Sequence, residues 1–190
     1  KELKSRNYPV KPLLFFKNSS EQLSSKEIYY ENLNSPEAWK KMLDEIECII
    51  HLAGKAHFNN VSEPPQELLE DLKESNVDLT VNLANKAASY GVKRFIYISS
   101  IKVNGEITHS NKPFTEDDEP TPKDYYGSSK YEAEKSLINI SKETNMETVI
   151  IRPPVVYGPG VKANFLKLIK LVDTRIPLPF LCVNNERSYI

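Results

Sequence analysis

Short apolar runs alternate along this chain with segments in helical period, and that alternation constrains the fold more than any other feature. Leu13-Leu-Phe-Phe16, Ile28-Tyr-Tyr30, Cys48-Ile-Ile-His-Leu-Ala53, Phe95-Ile-Tyr-Ile98 and Thr148-Val-Ile-Ile151 are rich in β-branched and aromatic side chains. Such runs read as strands buried on both faces of a parallel sheet. Between them, Ser35 and Pro36 supply a cap and a first-turn proline ahead of Trp39, Met42, Leu43 and Ile46, spaced i, i+3, i+4, i+7. A longer helical pattern from Gln66 to Tyr90 aligns Leu69, Leu72, Leu79, Leu83 and Ala87 and meets Gly91, a residue suited to ending a helix. Tyr125 to Thr144 and Ala163 to Val172 also read as helices. Strands alternating with helices predict an α/β domain with a mostly parallel sheet.

Charge and composition narrow the function. Twenty-five basic against 26 acidic side chains leave a net charge of −1. That balance excludes a broad polycationic surface and makes nucleic acid a poor partner. No apolar run reaches the ~18 residues of a membrane span. Cys48 and Cys182 form no CxxC pair, so a disulfide framework is not indicated and a reducing cytoplasm is the expected compartment. His51, His57 and His109 lack the spacing and company of metal ligands. His51 and Cys48 read instead as packed core residues.

The sharpest local signal lies in Asp124-Tyr-Tyr-Gly-Ser-Ser-Lys130, where Tyr126 and Lys130 stand four apart at a helix start, hence on one face. A phenol near pKa 10 carries protons poorly at neutral pH, and a neighbouring ammonium would favour its phenolate. The same spacing is also that of an ordinary surface pair, so the surroundings matter. Upstream, the strand Phe95 to Ile98 runs into Ser99 and Ser100, at the carboxyl end where open parallel sheets bind ligands. Downstream, a strand exits into Arg152-Pro-Pro-Val-Val-Tyr-Gly-Pro-Gly160, stiffened by prolines. A flat ring could lie against that exit.

In this order, His51-Leu-Ala-Gly54, Asn76, Ser99-Ser100 with Val103-Asn-Gly105, Tyr126-Gly-Ser-Ser-Lys130, Arg152-Pro-Pro-Val-Val-Tyr-Gly-Pro159 and Arg187-Ser-Tyr-Ile190 resemble the extended short-chain dehydrogenase/reductase superfamily. The likeness is to its nucleotide-sugar epimerase/dehydratase branch. It implies a Rossmann-like, doubly wound parallel sheet over residues 1–157 and the beginning of a nucleotide-sugar-binding portion over 158–190. It implies Ser100, Tyr126 and Lys130 as a catalytic triad, with Tyr126 as acid/base on a sugar 4-hydroxyl and Lys130 on the nicotinamide ribose. NAD would further touch Asn32 and Leu33 near adenine, the turn Leu52, Ala53, Gly54 and Lys55, and Pro153 and Val156 beside the nicotinamide. Ser100, Lys102 and Tyr126 would face the sugar, and Asn164 and Arg187 the diphosphate of a UDP-linked substrate, with Leu178 to Phe180 near the base. Homodimers would pair through helices near Leu69 to Leu83 and Glu132 to Ile140.

The resemblance is incomplete. The superfamily opens with a strand, a GxxGxxG turn and a helix whose amides bind pyrophosphate, and this chain opens with Glu2-Leu-Lys-Ser-Arg-Asn-Tyr-Pro-Val10. The expectation is a fragment lacking that first unit, whose hold on the cofactor would be weakened. Lys17, at the expected end of the second strand, leaves NADP open beside NAD. Three functions stay in view: a nucleotide-sugar 4-epimerase, an NAD(P)H-dependent 4-keto-sugar reductase with the same triad, and a binding module without turnover. A 4,6-dehydratase fits less well, because Ile101 and Lys102 follow Ser100 where that branch carries an acid.

Overall fold

The computed structural model describes residues 2–14, 28–56, 65–108, 112–158, 163–174 and 188–190. Chain order runs α1 (Glu2–Ser5), β1 (Leu13–Leu14), β2 (Ile28–Tyr29), α2 (Pro36–Leu43), β3 (Cys48–His51), α3 (Gln66–Lys73), α4 (Leu79–Ser89), β4 (Arg94–Ile98), α5 (Tyr125–Glu143), β5 (Glu147–Ile151) and α6 (Ala163–Asp173). All strand pairs are parallel. They form a two-stranded sheet, β1-β2, and a three-stranded sheet in the order β3-β4-β5. Among the described residues, no helix is long and apolar enough to cross a membrane.

Helix α2 forms as its sequence dictates. The Ser35 hydroxyl accepts a hydrogen bond from the Ala38 amide at 3.2 Å, Pro36 occupies the first turn, and Trp39, Met42 and Leu43 are buried on one side. Each large apolar side chain removed from water contributes about 1.5–3 kcal/mol. These three join Leu83, Ala84 and Ala87 of α4, Phe95 and Tyr97 of β4, and Ala133, Leu137 and Ile140 of α5 in one core. Gly91 ends α4 with φ +81°, and the Val92 amide returns to the Ala87 carbonyl at 3.0 Å. That geometry is the left-handed helix terminus glycine permits.

Two expectations need correction. The strands of the larger sheet are covered on one face, not both. Phe95, Tyr97 and His51 point into the core, whereas Ile50, Val149 and Ile151 on the opposite face are 39–45% exposed. Cys48 shares that outer face and is exposed rather than packed. The cause is register: Cys48, Arg94 and Glu147 are aligned neighbours, and Arg94 and Glu147 form an ion pair there at 2.5 Å. Side chains alternate across a strand, so Cys48 and Ile50 face away whenever Ile49 and His51 face in.

The helix expected over 66–90 is continuous in direction but not in winding. Between α3 and α4, residues Glu74–Asp78 take π-helical turns, and the Leu79 amide bonds back five residues to the Glu74 carbonyl. Single π turns inside α-helices occur frequently at functional sites. Here the turn carries Ser75, Asn76 and Val77 inward, all buried.

Candidate active site

Three strand exits lie side by side at the carboxyl edge of the larger sheet. At the β4 exit Ser99 is buried and Ser100 begins a 3-10 turn, Ile101–Val103, its hydroxyl accepting from the Lys102 amide at 3.3 Å. The β5 exit is stitched to it, since the Ile101 amide donates to the Pro153 carbonyl at 3.0 Å. Helix α5 starts against the same turn. Asp124 caps it, one carboxylate oxygen accepting from the Gly127 amide at 2.6 Å and the other pairing with the Lys102 ammonium. Gly127 is glycine for want of space: a Cβ there would stand 2.8 Å from the Lys102 carbonyl oxygen.

This docking puts Ser100 and Tyr126 next to each other, the serine hydroxyl near enough to lower the phenol's pKa. One turn further, Lys130 is only 3% exposed. Its ammonium donates to the Ile98 carbonyl at 3.1 Å, stands 4.7 Å from the Tyr97 ring centroid and 5.9 Å from that of Tyr126. The three residues expected to act together are therefore gathered at one place.

Their electrostatics differ from the expectation that Lys130 draws the phenol down. Burial raises the Tyr126 pKa, the Ser100 hydroxyl works the other way, and the Asp124 charge adds to the rise. Lys130 itself is pushed down to about 8, because burial penalises its charge more than Glu134 supports it. Desolvation wins over proximity, as it does wherever a charge lacks a close counter-ion.

At the β3 exit the sequence Leu52, Ala53, Gly54, Lys55 passes close over the lysine. A Cβ on Gly54 would lie 3.0 Å from the Lys130 ammonium and 3.1 Å from the Asn76 amide oxygen. Asn76, fully buried in the π turn, grips Lys55 from both sides, its oxygen accepting from the Lys55 amide at 2.7 Å and its nitrogen donating to the Lys55 carbonyl at 3.1 Å. The same nitrogen donates to the Ser129 hydroxyl at 3.0 Å, which donates to the Tyr126 carbonyl at 2.9 Å. The Lys55 side chain is engaged elsewhere, with Asp71. Asn76, one of the residues that carry the family resemblance, is thus a residue of the site, a role the resemblance had not assigned to it.

His51 is buried as expected. Its Nε2 pairs with the Thr80 hydroxyl at 2.9 Å, and its ring stacks on Tyr97 at 5.8 Å. Because that hydroxyl donates to the Asn76 carbonyl, Nε2 carries the proton. Burial, helped by the Lys130 charge, lowers the His51 pKa to about 3. The Tyr97 and Ser99 hydroxyls are buried with no hydrogen-bond partner among the described residues.

The remaining expected contacts are more scattered. Leu52 is 74% and Val156 62% exposed, so both offer apolar surface at the site edge, and Pro153 is half-buried. Leu33 is buried in the core beside Trp39, which leaves its backbone rather than its side chain for a ligand. Lys102, expected to face the sugar, pairs with Asp124 and lies 3.6 Å from Glu106. Asn32 ends a 3-10 turn, Tyr30–Asn32, and Asn164 lies in the first turn of α6, the side chains of both lying outside the described residues. Arg187, Lys17, Leu178 to Phe180, His57, His109 and Cys182 lie outside them altogether.

A parallel α/β domain with serine, tyrosine and lysine assembled at the strand exits defines the short-chain dehydrogenase/reductase class. Within it, the chain belongs to the NAD dependent epimerase/dehydratase family, whose profile matches residues 1–176. It is 48% identical over 160 residues to UDP-glucose 4-epimerase of Vibrio cholerae, a match covering 84% of this chain and 48% of that one. The chain thus spans about half the length of that relative. It is 36% identical over 110 residues to the Bos taurus methionine adenosyltransferase 2 subunit beta, covering 58% of this chain and 29% of the relative. Among solved structures, UDP-glucuronic acid 4-epimerase from Bacillus cereus, in complex with UDP-glucuronic acid and NAD, superposes with a TM-score of 0.68 at 25% identity, over 93% of this chain and 58% of that one.

Proposed function

We propose that the chain carries the proton-transfer half of an NAD-dependent nucleotide-sugar 4-epimerase, acting by transient oxidation at C4 of a UDP-linked sugar. The observation that carries this reading is the juxtaposition of Ser100 and Tyr126 with Lys130 buried one turn behind them. The kinship with UDP-glucose 4-epimerase of Vibrio cholerae supports the choice of reaction. Residues 1–157 form the cofactor side and 158–190 begin the substrate side, in a cytoplasmic enzyme.

The residues present suit the ring half of a dinucleotide. Leu52 and Val156 leave apolar side chains uncovered at the site edge, and the glycine-passed turn at the β3 exit lies against the one buried ammonium of the site. NAD, with NADP as the alternative, would be held by Lys130 at its ribose, by the turn Leu52 to Lys55, by Pro153 and Val156, and by Asn32 and the Leu33 backbone at adenine. When bound, it supplies the acceptor and donor of the C4 hydrogen.

Tyr126 takes the proton of the sugar 4-hydroxyl as the ketone forms and returns it when the alcohol is restored on the other face. Ser100 donates to the same oxygen as the ketone forms, and its hydroxyl beside the phenol opposes the rise that burial imposes on Tyr126. Burial disfavours the phenolate that the first step needs, so the cycle starts from the deprotonated fraction of Tyr126, and the proton taken is the one returned. Asn164 and Arg187 hold the diphosphate. A homodimer would use the outer faces of α4 and α5, since Leu83, Leu137 and Ile140 are already buried within the chain.

The test is conversion of UDP-glucose to UDP-galactose by the full-length protein without net consumption of NAD. Stoichiometric NAD(P)H oxidation on a 4-keto sugar would replace this reading with a reductase. A second reading, a subunit that binds without turnover, is favoured by the similarity to a methionine adenosyltransferase beta subunit. Absence of turnover by the full-length protein with NAD and UDP-glucose would favour it, whereas turnover that falls about 10²–10⁴-fold in Tyr126→Phe supports catalysis by the phenol.

A further inference from the structure

The residues of the proposed triad come from two separate elements, Ser100 from the β4 exit and Tyr126 and Lys130 from α5. Something must hold those elements at a fixed separation. Arg152, the first residue past β5, reaches both. Its Nε and one terminal nitrogen donate to the two oxygens of Glu134 at 3.0 and 2.6 Å, a fork on a carboxylate that is fully buried on α5 one turn beyond Lys130. Its other terminal nitrogen donates to the side-chain oxygen of Asn104 at 3.1 Å. Asn104 is buried at the end of the turn that Ser100 opens, its amide donating to the Ile101 carbonyl at 3.0 Å. It is also the anchor of the following loop, donating to the Thr115 carbonyl at 3.2 Å and accepting from the Thr121 hydroxyl at 2.7 Å.

We propose that Arg152 is a positioning residue that fixes the Ser100 turn against the Tyr126 helix through Asn104 and Glu134. The inference rests on reading Ser100, Tyr126 and Lys130 as the reacting set. Stability alone does not explain the arrangement. A buried ion pair is often matched or exceeded in stability by apolar residues of similar volume. What an apolar trio lacks is directional hydrogen bonding to two elements at once, which the planar guanidinium provides as a rigid fork that a lysine's single ammonium cannot reproduce. Misplacement of reacting groups by ~1 Å costs on the order of 10²-fold in rate, so a clamp that acts only on geometry has a large effect on turnover.

The experiment compares Asn104→Ala, Arg152→Lys and Tyr126→Phe in the full-length protein with NAD, measuring kcat and KM for UDP-sugar epimerisation. Asn104→Ala and Arg152→Lys are expected to lower kcat about ten- to hundredfold with KM changed less than about threefold, kcat being referred to the concentration of folded enzyme measured by circular dichroism, because loss of folded protein alone would give the same split. If either folded variant keeps kcat within about twofold of the parent while Tyr126→Phe is inactive, the clamp is overturned and the triad stands. If Tyr126→Phe is active, the triad reading fails first. Should Arg152→Lys not fold, Asn104→Ala decides alone, because it leaves the Arg152–Glu134 pair in place.

Discussion

The Lys130 ammonium lies over the Tyr97 ring, 4.7 Å from its centroid, and its one hydrogen bond among the described residues is to the Ile98 carbonyl. A quadrupole face and a neutral carbonyl compensate a buried charge only in part. The lysine is thus held in place at the expense of its own protonation, with its pKa lowered to about 8.

That position has a stability consequence. The unfolded chain keeps the Lys130 proton to about pH 10.5 and the native one only to about pH 8, so the unfolded state binds more protons between these values. Stability rises with pH across that window and carries the full cost below it, roughly 3 kcal/mol. Lys130→Met should therefore melt higher than the parent at pH 7 and lose that advantage by pH 10.5, while turnover disappears. Thermal melts across pH 7–10.5 check this; a variant that melts lower at pH 7 would contradict it.

His51 works in the acid range. Its folded pKa of about 3 lies below the 6.5 of the unfolded chain. Stability is complete above pH 6.5 and falls as pH drops towards 3, by up to about 5 kcal/mol. His51→Gln, which does not titrate and can still donate to Thr80, should flatten denaturant midpoints between pH 6.5 and 4. An unchanged slope would show that other groups govern acid unfolding.

Asp124 separates capping from charge. Its carboxylate raises the Tyr126 pKa, so Asp124→Asn should move the phenol's titration to lower pH. The acidic limb of the kcat/KM profile, where the phenolate form is required, shifts down with it. Asparagine caps helices about as well as aspartate, so the melting temperature should change little. A limb that moves up or stays fixed would separate that limb from Tyr126.

Gly127→Ala sets two effects against each other. Alanine improves helix propensity by about 1 kcal/mol, but its methyl group would meet the Lys102 carbonyl oxygen at 2.8 Å. Backbone gives way less readily than a side chain, and overpacking costs about 1–3 kcal/mol. Net destabilisation with a fall in kcat is expected, read by denaturation and steady-state kinetics. A stabilised, fully active variant would show that the serine turn is free to move away from α5.

Much of this was legible beforehand. Apolar runs located the strands to within a few residues, the Ser35 cap and Gly91 marked helix ends, and the Tyr126–Lys130 spacing located the site. What sequence patterns concealed is set by partners distant along the chain. The pairing of Glu134 with Arg152, eighteen positions apart, has no local pattern and is set by the docking of α5 against the β5 exit. Lys102 reads as a ligand contact until Asp124, twenty-two positions on, takes its ammonium. Leu33 reads as a strand-exit contact until Trp39 packs beside it. Cys48 reads as core because residue type does not reveal which sheet face lacks cover. The phenol's pKa escapes local spacing because burial, a property of the whole fold, sets its direction.

The five-residue winding at Glu74–Asp78 means that α3 and α4 together contain one amino acid more than a regular helix of the same rise. Excising Glu74 or Ser75 would restore even coiling and swing Asn76 by ~100° about the axis relative to α3, away from the Lys55 backbone and Ser129. Insertions and deletions are usually tolerated in loops and punished in helices. Here the surplus amino acid lies inside a helix and aims its most buried amide, so variants that shorten this stretch by one should lose the linkage between the β3 turn and the tyrosine helix while keeping every side chain that forms it.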